Sequence, residues 1–115
     1  MNSINQYQQD ATRTARHDYS SNFSVPRRSD LANYTLGLTG ESGEVGDIIK
    51  KHLFHGHPLD RDALKNELGD IMWYISNLAT VMDMDLSDIT DGNIQKLYER
   101  YPEGFSEKDS LNRKV

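Results

Sequence analysis

The chain has 115 residues and a mass of 13.2 kDa, which is one domain's worth and too little for two independent cores. Hydrophobic residues make up 36% and charged residues 27%, the composition of a chain that folds around a thin core. Thirteen Lys and Arg against 18 Asp and Glu give a formal charge of -5, which disfavours a nucleic-acid polymer as partner.

The absence of cysteine excludes a disulfide framework and a thiolate metal site, so any metal must be held by oxygen or imidazole. No window approaches the roughly 20 apolar residues that span a bilayer, and residues 1–10 lack a signal-like apolar core. The expectation is a cytoplasmic protein with no membrane partner.

In chain order, Ser3 is placed to cap a short helix whose Ile4, Tyr7, Ala11 and Ala15 recur at helical spacing, ending near His17. Residues 20–29 are polar, contain Pro26 and show no period, which predicts a loop. Asp30 is the predicted cap of a second, long helix carrying Leu31, Tyr34, Leu38, Val45, Ile48, Ile49 and Leu53, stopped before Gly56 and Pro58. Asp60 opens a third, with an apolar stripe of Leu64, Leu68, Ile71, Ile75, Leu78 and Met82 that marks it as the central element of a bundle.

Ser87 is the predicted cap of a fourth helix, with Ile89, Ile94, Leu97 and Tyr98 as its inner face and Tyr101-Pro102 as its stop. Residues 103–115 are polar and read as a tail or arm. No run shows sustained alternation, so strands are not predicted. The fold class is all-α, a four-helix bundle-like arrangement of a short N-terminal helix, three longer helices and a C-terminal arm. It forms a single domain over residues 1–115, with the first helix and its loop in residues 1–29.

Chemistry concentrates in Glu41, Glu44, Glu67 and Asp70. Each pair is spaced i, i+3, which sets two carboxylates on one helix face, about 60° apart and one turn above the other. Twenty-two residues separate Glu44 from Glu67, enough for a turn at 55–59 and an antiparallel return, so the pairs can meet. Four gathered carboxylates repel one another and lose hydration, and a hard divalent cation such as Mg²⁺ or Mn²⁺ offsets that.

A di-iron bundle would place His three residues after Glu, and no such pattern follows Glu41, Glu44 or Glu67. The competing reading pairs these acids with Lys50, Lys51, Arg61 and Lys65 as a solvated surface. Gly37, Gly40, Gly43 and Gly46 recur every third residue beside the acids, a costly row in a helix that predicts a crowded contact with a backbone or ligand. His52, His55 and His57 straddle a predicted helix end without a fourth ligand, and read as a turn rather than a zinc site.

Three segments, Gly40-Glu41-Ser42-Gly43-Glu44-Val45, Glu67-Leu68-Gly69-Asp70 and Asn93-x-x-Lys96-Leu97-x-x-Arg100-Tyr101-Pro102-x-Gly104-Phe105, together resemble a MazG-like member of the all-α nucleoside triphosphate pyrophosphohydrolase superfamily. The likeness covers roughly residues 31–105. It implies the MazG fold and hydrolysis between the α and β phosphates of a nucleoside triphosphate, giving the monophosphate and pyrophosphate. It also implies Mg²⁺, with Mn²⁺ as substitute, on Glu41, Glu44, Glu67 and Asp70. One of the glutamates, Glu41 favoured over Glu44, would position or deprotonate the attacking water.

Gly40 stands where the family's first motif often has an acid, which leaves the number of metal ions open. On the same resemblance Lys51, Asn93, Lys96 and Arg100 are candidates for phosphate contacts, against a solvated basic face. Trp73 and Asn77 are candidates for stacking on a base and reading its edge, against core packing for Trp73. Gln8 is a candidate for the nucleotide pocket. The resemblance implies a dimer or tetramer, and compact relatives point to a purine such as dGTP or GTP. Alternatives are a nucleoside diphosphate or phosphoribosyl-linked substrate, and a non-enzymatic helical interaction module.

Overall fold

The structure, a computed structural model, describes residues 3–15 and 28–113. Helix α1, Ile4–Ala11, runs into a 3-10 turn, Thr12–Thr14; α2 is Arg28–Phe54, α3 Arg61–Val81, α4 Leu86–Arg100 and α5 Glu107–Leu111. Among the described residues there is no strand, and the architecture is all-α as its sequence predicts.

Local chemistry explains most of the boundaries. Ser3 caps α1 by accepting from Gln6 N at 3.1 Å, and Asp60 caps α3 by accepting from Ala63 N at 3.0 Å. The expected end near His17 and most of the expected loop fall outside the described residues. Helix α2 begins at Arg28, so Asp30 sits in its first turn instead of at its cap; there its charge suits the positive end of the helix dipole. Gly56, at φ 73, ends the same helix in a left-handed turn while His57 N donates to Lys51 O at 3.1 Å.

Helices α2 and α3 form the main packed pair, and α1 crosses α3 and the start of α4. The interior is thin, as composition predicts: its largest fully buried side chains are Tyr34, Leu86, Asn77 and Ser76. Trp73 stacks edge-on against Tyr34 and Tyr74, with ring centroids 5.9 and 5.0 Å away. Gly37 is a true close approach, because a Cβ there would enter the Tyr74 ring. Gly40, Gly43 and Gly46 have open space instead, so the crowding expected of the whole row is confined to its first member, the one facing Tyr74.

Helix α4 departs furthest from expectation. Ser87 lies inside it, and Asp85 holds the cap position without a side-chain bond. Ile89, Ile94, Leu97 and Tyr98, expected as an inner face, are all exposed, Tyr98 by 67%. The reason is packing: α4 meets α1 near its start and scarcely touches α2 or α3. The C-terminal arm also has local order, with Tyr101 tilted on Phe105 at 5.3 Å and Ser106 capping α5 through Asp109 N at 3.0 Å.

Candidate metal centre

The antiparallel α2/α3 pair brings Glu41, Glu67 and Asp70 together, each offering a carboxylate oxygen within 4.8 Å of the others. The i, i+3 spacing on α3 turns Glu67 and Asp70 to one face, and α2 brings Glu41, without Glu44, across to meet it. The carboxyl of Glu41 is pushed up from 4.5 to about 7, first by a hydrogen bond with Glu67, then by burial, then by the charges of Glu67, Asp70 and Glu44. In the absence of a cation, a proton on Glu41 therefore serves as the positive charge that the cluster requires.

A second sign points the same way. Glu67 Oε2 is buried and has no hydrogen-bond partner, an arrangement that costs free energy unless something occupies the oxygen. An all-oxygen donor set with one uncommitted buried lone pair and one displaceable proton fits a hard divalent cation. Zinc and copper sites favour imidazole or sulfur, and this cluster contains neither.

Glu44 stands one turn along α2, exposed and outside the trio, yet near enough to raise Glu41. Lys51 Nζ is paired with Asp47 at 2.9 Å; the hydrogen bond holds the Asp47 carboxyl below and the Lys51 amine above their ordinary values. Trp73 donates its indole N–H to Thr14 Oγ1 at 2.9 Å. Asn77, fully buried, donates to Trp73 O and Ala11 O, while its Oδ1 has no partner.

Asn93 and Lys96 lie on the exposed stretch of α4 and Arg100 is half-buried at its end. The charges that raise Glu41 are those of the carboxylates Glu67, Asp70 and Glu44. His52, His55 and His57 are exposed, with His52 Nδ1 2.8 Å from His57 O.

Gln8, expected as a nucleotide contact, is engaged within the fold. Its Oε1 accepts from Leu86 N at 2.8 Å, and its amide donates to Met84 O at 2.7 Å and Thr80 Oγ1 at 3.2 Å. The fold thus engages both ends of this side chain. Two neighbours escaped sequence reasoning. Tyr7 lies close enough to Asp70 for that charge to add to burial in raising its phenol, and Asn5 accepts from Ser87 N at 3.0 Å. Helical spacing put both on α1 but gave no sign of their partners on other helices.

Fold and site together define an all-α protein with a carboxylate cluster that could hold a metal ion, set between two antiparallel helices. Comparison with known proteins carries this one step further. The chain belongs to the MazG nucleotide pyrophosphohydrolase family, whose domain model matches residues 30–105, a span containing all four acids and all of α4. It is similar to the Gene 37 protein of Mycobacterium phage L5, 39% identical over 87 residues that cover 72% of this chain and 76% of that protein. No solved structure matches it.

Proposed function

We propose that the protein is a Mg²⁺-dependent nucleoside triphosphate pyrophosphohydrolase, with Mn²⁺ as substitute, that works on the cytoplasmic nucleotide pool. The observation that carries this reading is the trio Glu41, Glu67 and Asp70 with its unpartnered Glu67 oxygen, set within the residues that match the family. Those three side chains hold the cation. When bound, it lowers the pKa of water and neutralises charge gathering on phosphoryl oxygens.

In this reading Glu44, exposed and outside the trio, takes the proton from the attacking water, with Glu41, engaged with Glu67, as the alternative base. The water oxygen bonds to the α phosphorus, the bridging bond breaks, and pyrophosphate leaves the nucleoside monophosphate. Asn93, Lys96 and Arg100 supply charge-assisted contacts to the phosphates. The test is a panel of ribo- and deoxynucleotides, dGTP and GTP foremost, with Mg²⁺ or Mn²⁺ and chromatography of the products. Pyrophosphate with monophosphate supports the reading; orthophosphate rejects the bond assignment, and no product rejects the enzyme.

Self-association belongs to the same reading. Ile94, Leu97, Tyr98, Leu36 and Phe54 are among the apolar side chains left exposed, and a second copy of the chain would bury them. Sedimentation equilibrium at micromolar concentration should find a dimer or tetramer.

A further inference from the structure

Helix α4 lacks a cap of its own. Of its first N–H groups, Asp88 and Ile89 donate to Asp85 O at 3.1 and 3.3 Å, which leaves Leu86 and Ser87 to find acceptors elsewhere. Both acceptors come from α1, where Gln8 Oε1 takes Leu86 N and Asn5 Oδ1 takes Ser87 N. Each amide also donates back to the same junction, Asn5 Nδ2 to Ser87 Oγ at 2.9 Å and Gln8 Nε2 to Met84 O at 2.7 Å. Asn5 and Gln8 are three residues apart and share a face of α1. Two primary amides, each able to accept and donate at once, suit this task better than the hydroxyl or carboxylate of an ordinary cap.

Helix α4 packs on α1 and scarcely on α2 or α3, and residues 91–99 are exposed throughout. Among the described residues, its main packing and side-chain hydrogen bonds to other helices therefore lie at its first turn. Helix α1 is also tied to the site: Tyr7, between Asn5 and Gln8, lies near Asp70, and Thr14 beyond its end receives the Trp73 indole N–H.

We propose that Asn5 and Gln8 are positioning residues: as a side-chain clasp they cap α4 from α1 and so fix where Asn93, Lys96 and Arg100 stand relative to the acid trio. This rests on the nucleotide reading above for the role of α4, though the clasp itself does not. Loosening it moves the phosphate-binding residues without touching the carboxylates, so substrate affinity falls while the chemistry of bound substrate persists.

The test uses the full chain with Asn5→Ala and Asn5→Asp, because Asn5 is exposed and its replacement leaves the interior intact, and with Gln8→Met as a stronger break. Loss of one cap of about 1 kcal/mol corresponds to about a fivefold faster amide exchange at Leu86 and Ser87 in Asn5→Ala. KM for the nucleotide should rise by a similar factor, with kcat and Mn²⁺ binding unchanged. Asn5→Asp keeps the acceptor for Ser87 N and should restore both exchange and KM. The emission of Trp73, the single tryptophan, should stay put and show that α1 remains docked.

Unchanged exchange in Asn5→Ala and Gln8→Met overturns the clasp. Faster exchange with unchanged KM overturns the positioning role and leaves a structural cap. If the native protein hydrolyses no nucleotide, the functional reading fails, and the exchange measurements still decide the clasp.

Discussion

Helices α2 and α3 lie against each other and hold the carboxylate trio between them, whereas α4 is anchored near its first turn and leaves its apolar residues uncovered. Both regions are helical and both carry apolar residues at helical spacing, so periodicity alone does not separate a packed helix from an exposed one. The difference lies in what each helix faces. Tyr34 of α2 and Trp73 of α3 interlock, while Ile94 and Leu97 keep 53% and 38% of their surface exposed. The acids are thus placed by two packed helices, and the cations of α4 by a helix whose main packing lies on α1.

The comparison breaks most sharply at the acids. Glu67→Gln or Asp70→Asn should lower turnover by about a hundredfold or more, since even residues that only support metal ligands cost ten- to a hundredfold. Each should also raise the melting temperature of the metal-free protein, because a like-charge contact is relieved, and should abolish the further rise on adding Mg²⁺. A variant that kept its Mg²⁺ response would remove that carboxylate from the centre. At Gly37 the effect falls on packing: Gly37→Ala drives a methyl into the Tyr74 ring and should destabilise the fold by about 1–3 kcal/mol in urea unfolding. Gly43→Ala meets open space and should stabilise α2 by up to about 1 kcal/mol through helix propensity.

Much of this division was readable in the residues. The two i, i+3 acid pairs and the 22-residue gap require an antiparallel turn to meet, and Glu41, Glu67 and Asp70 do meet. Ser3 and Asp60 cap where a short polar side chain precedes an apolar run. Ser87 looked equally good and is not a cap, because Asn5 and Gln8, about 80 residues earlier in the sequence, meet the same need; side-chain capping across elements leaves no local trace. The exposed face of α4 was misread for a related reason. An apolar stripe records that something covers it, without recording whether that is this chain or another.

Acid strength gives a smaller and reversible probe of the α2/α3 side. Glu41 is held near 7 in the metal-free protein against an ordinary 4.5, so the folded state binds this proton more tightly than the unfolded state. The stability it confers is complete below pH 4.5 and is lost as pH rises through about 7. In EDTA, urea midpoints should decline between pH 5 and 8; saturating Mg²⁺ should flatten that decline, and Glu41→Gln should remove it. A midpoint that rose over this range without metal would place the shared proton elsewhere.

The smallest contrast separates the body from the C-terminal arm with one kind of mutation. Asp60 and Ser106 make the same cap bond, each 3.0 Å long, to Ala63 N and Asp109 N, so removing either acceptor costs its helix about 1 kcal/mol. Helix α3 is part of the packed pair, and in Asp60→Ala that cost should appear in global unfolding. Helix α5 has five residues, none of them buried, so it can open alone, and Ser106→Ala should leave the global midpoint unchanged while amides 109–111 exchange faster. A full loss of global stability in Ser106→Ala would show that the arm unfolds with the body, and the boundary between rigid and loosely held regions would then have to be drawn beyond α5.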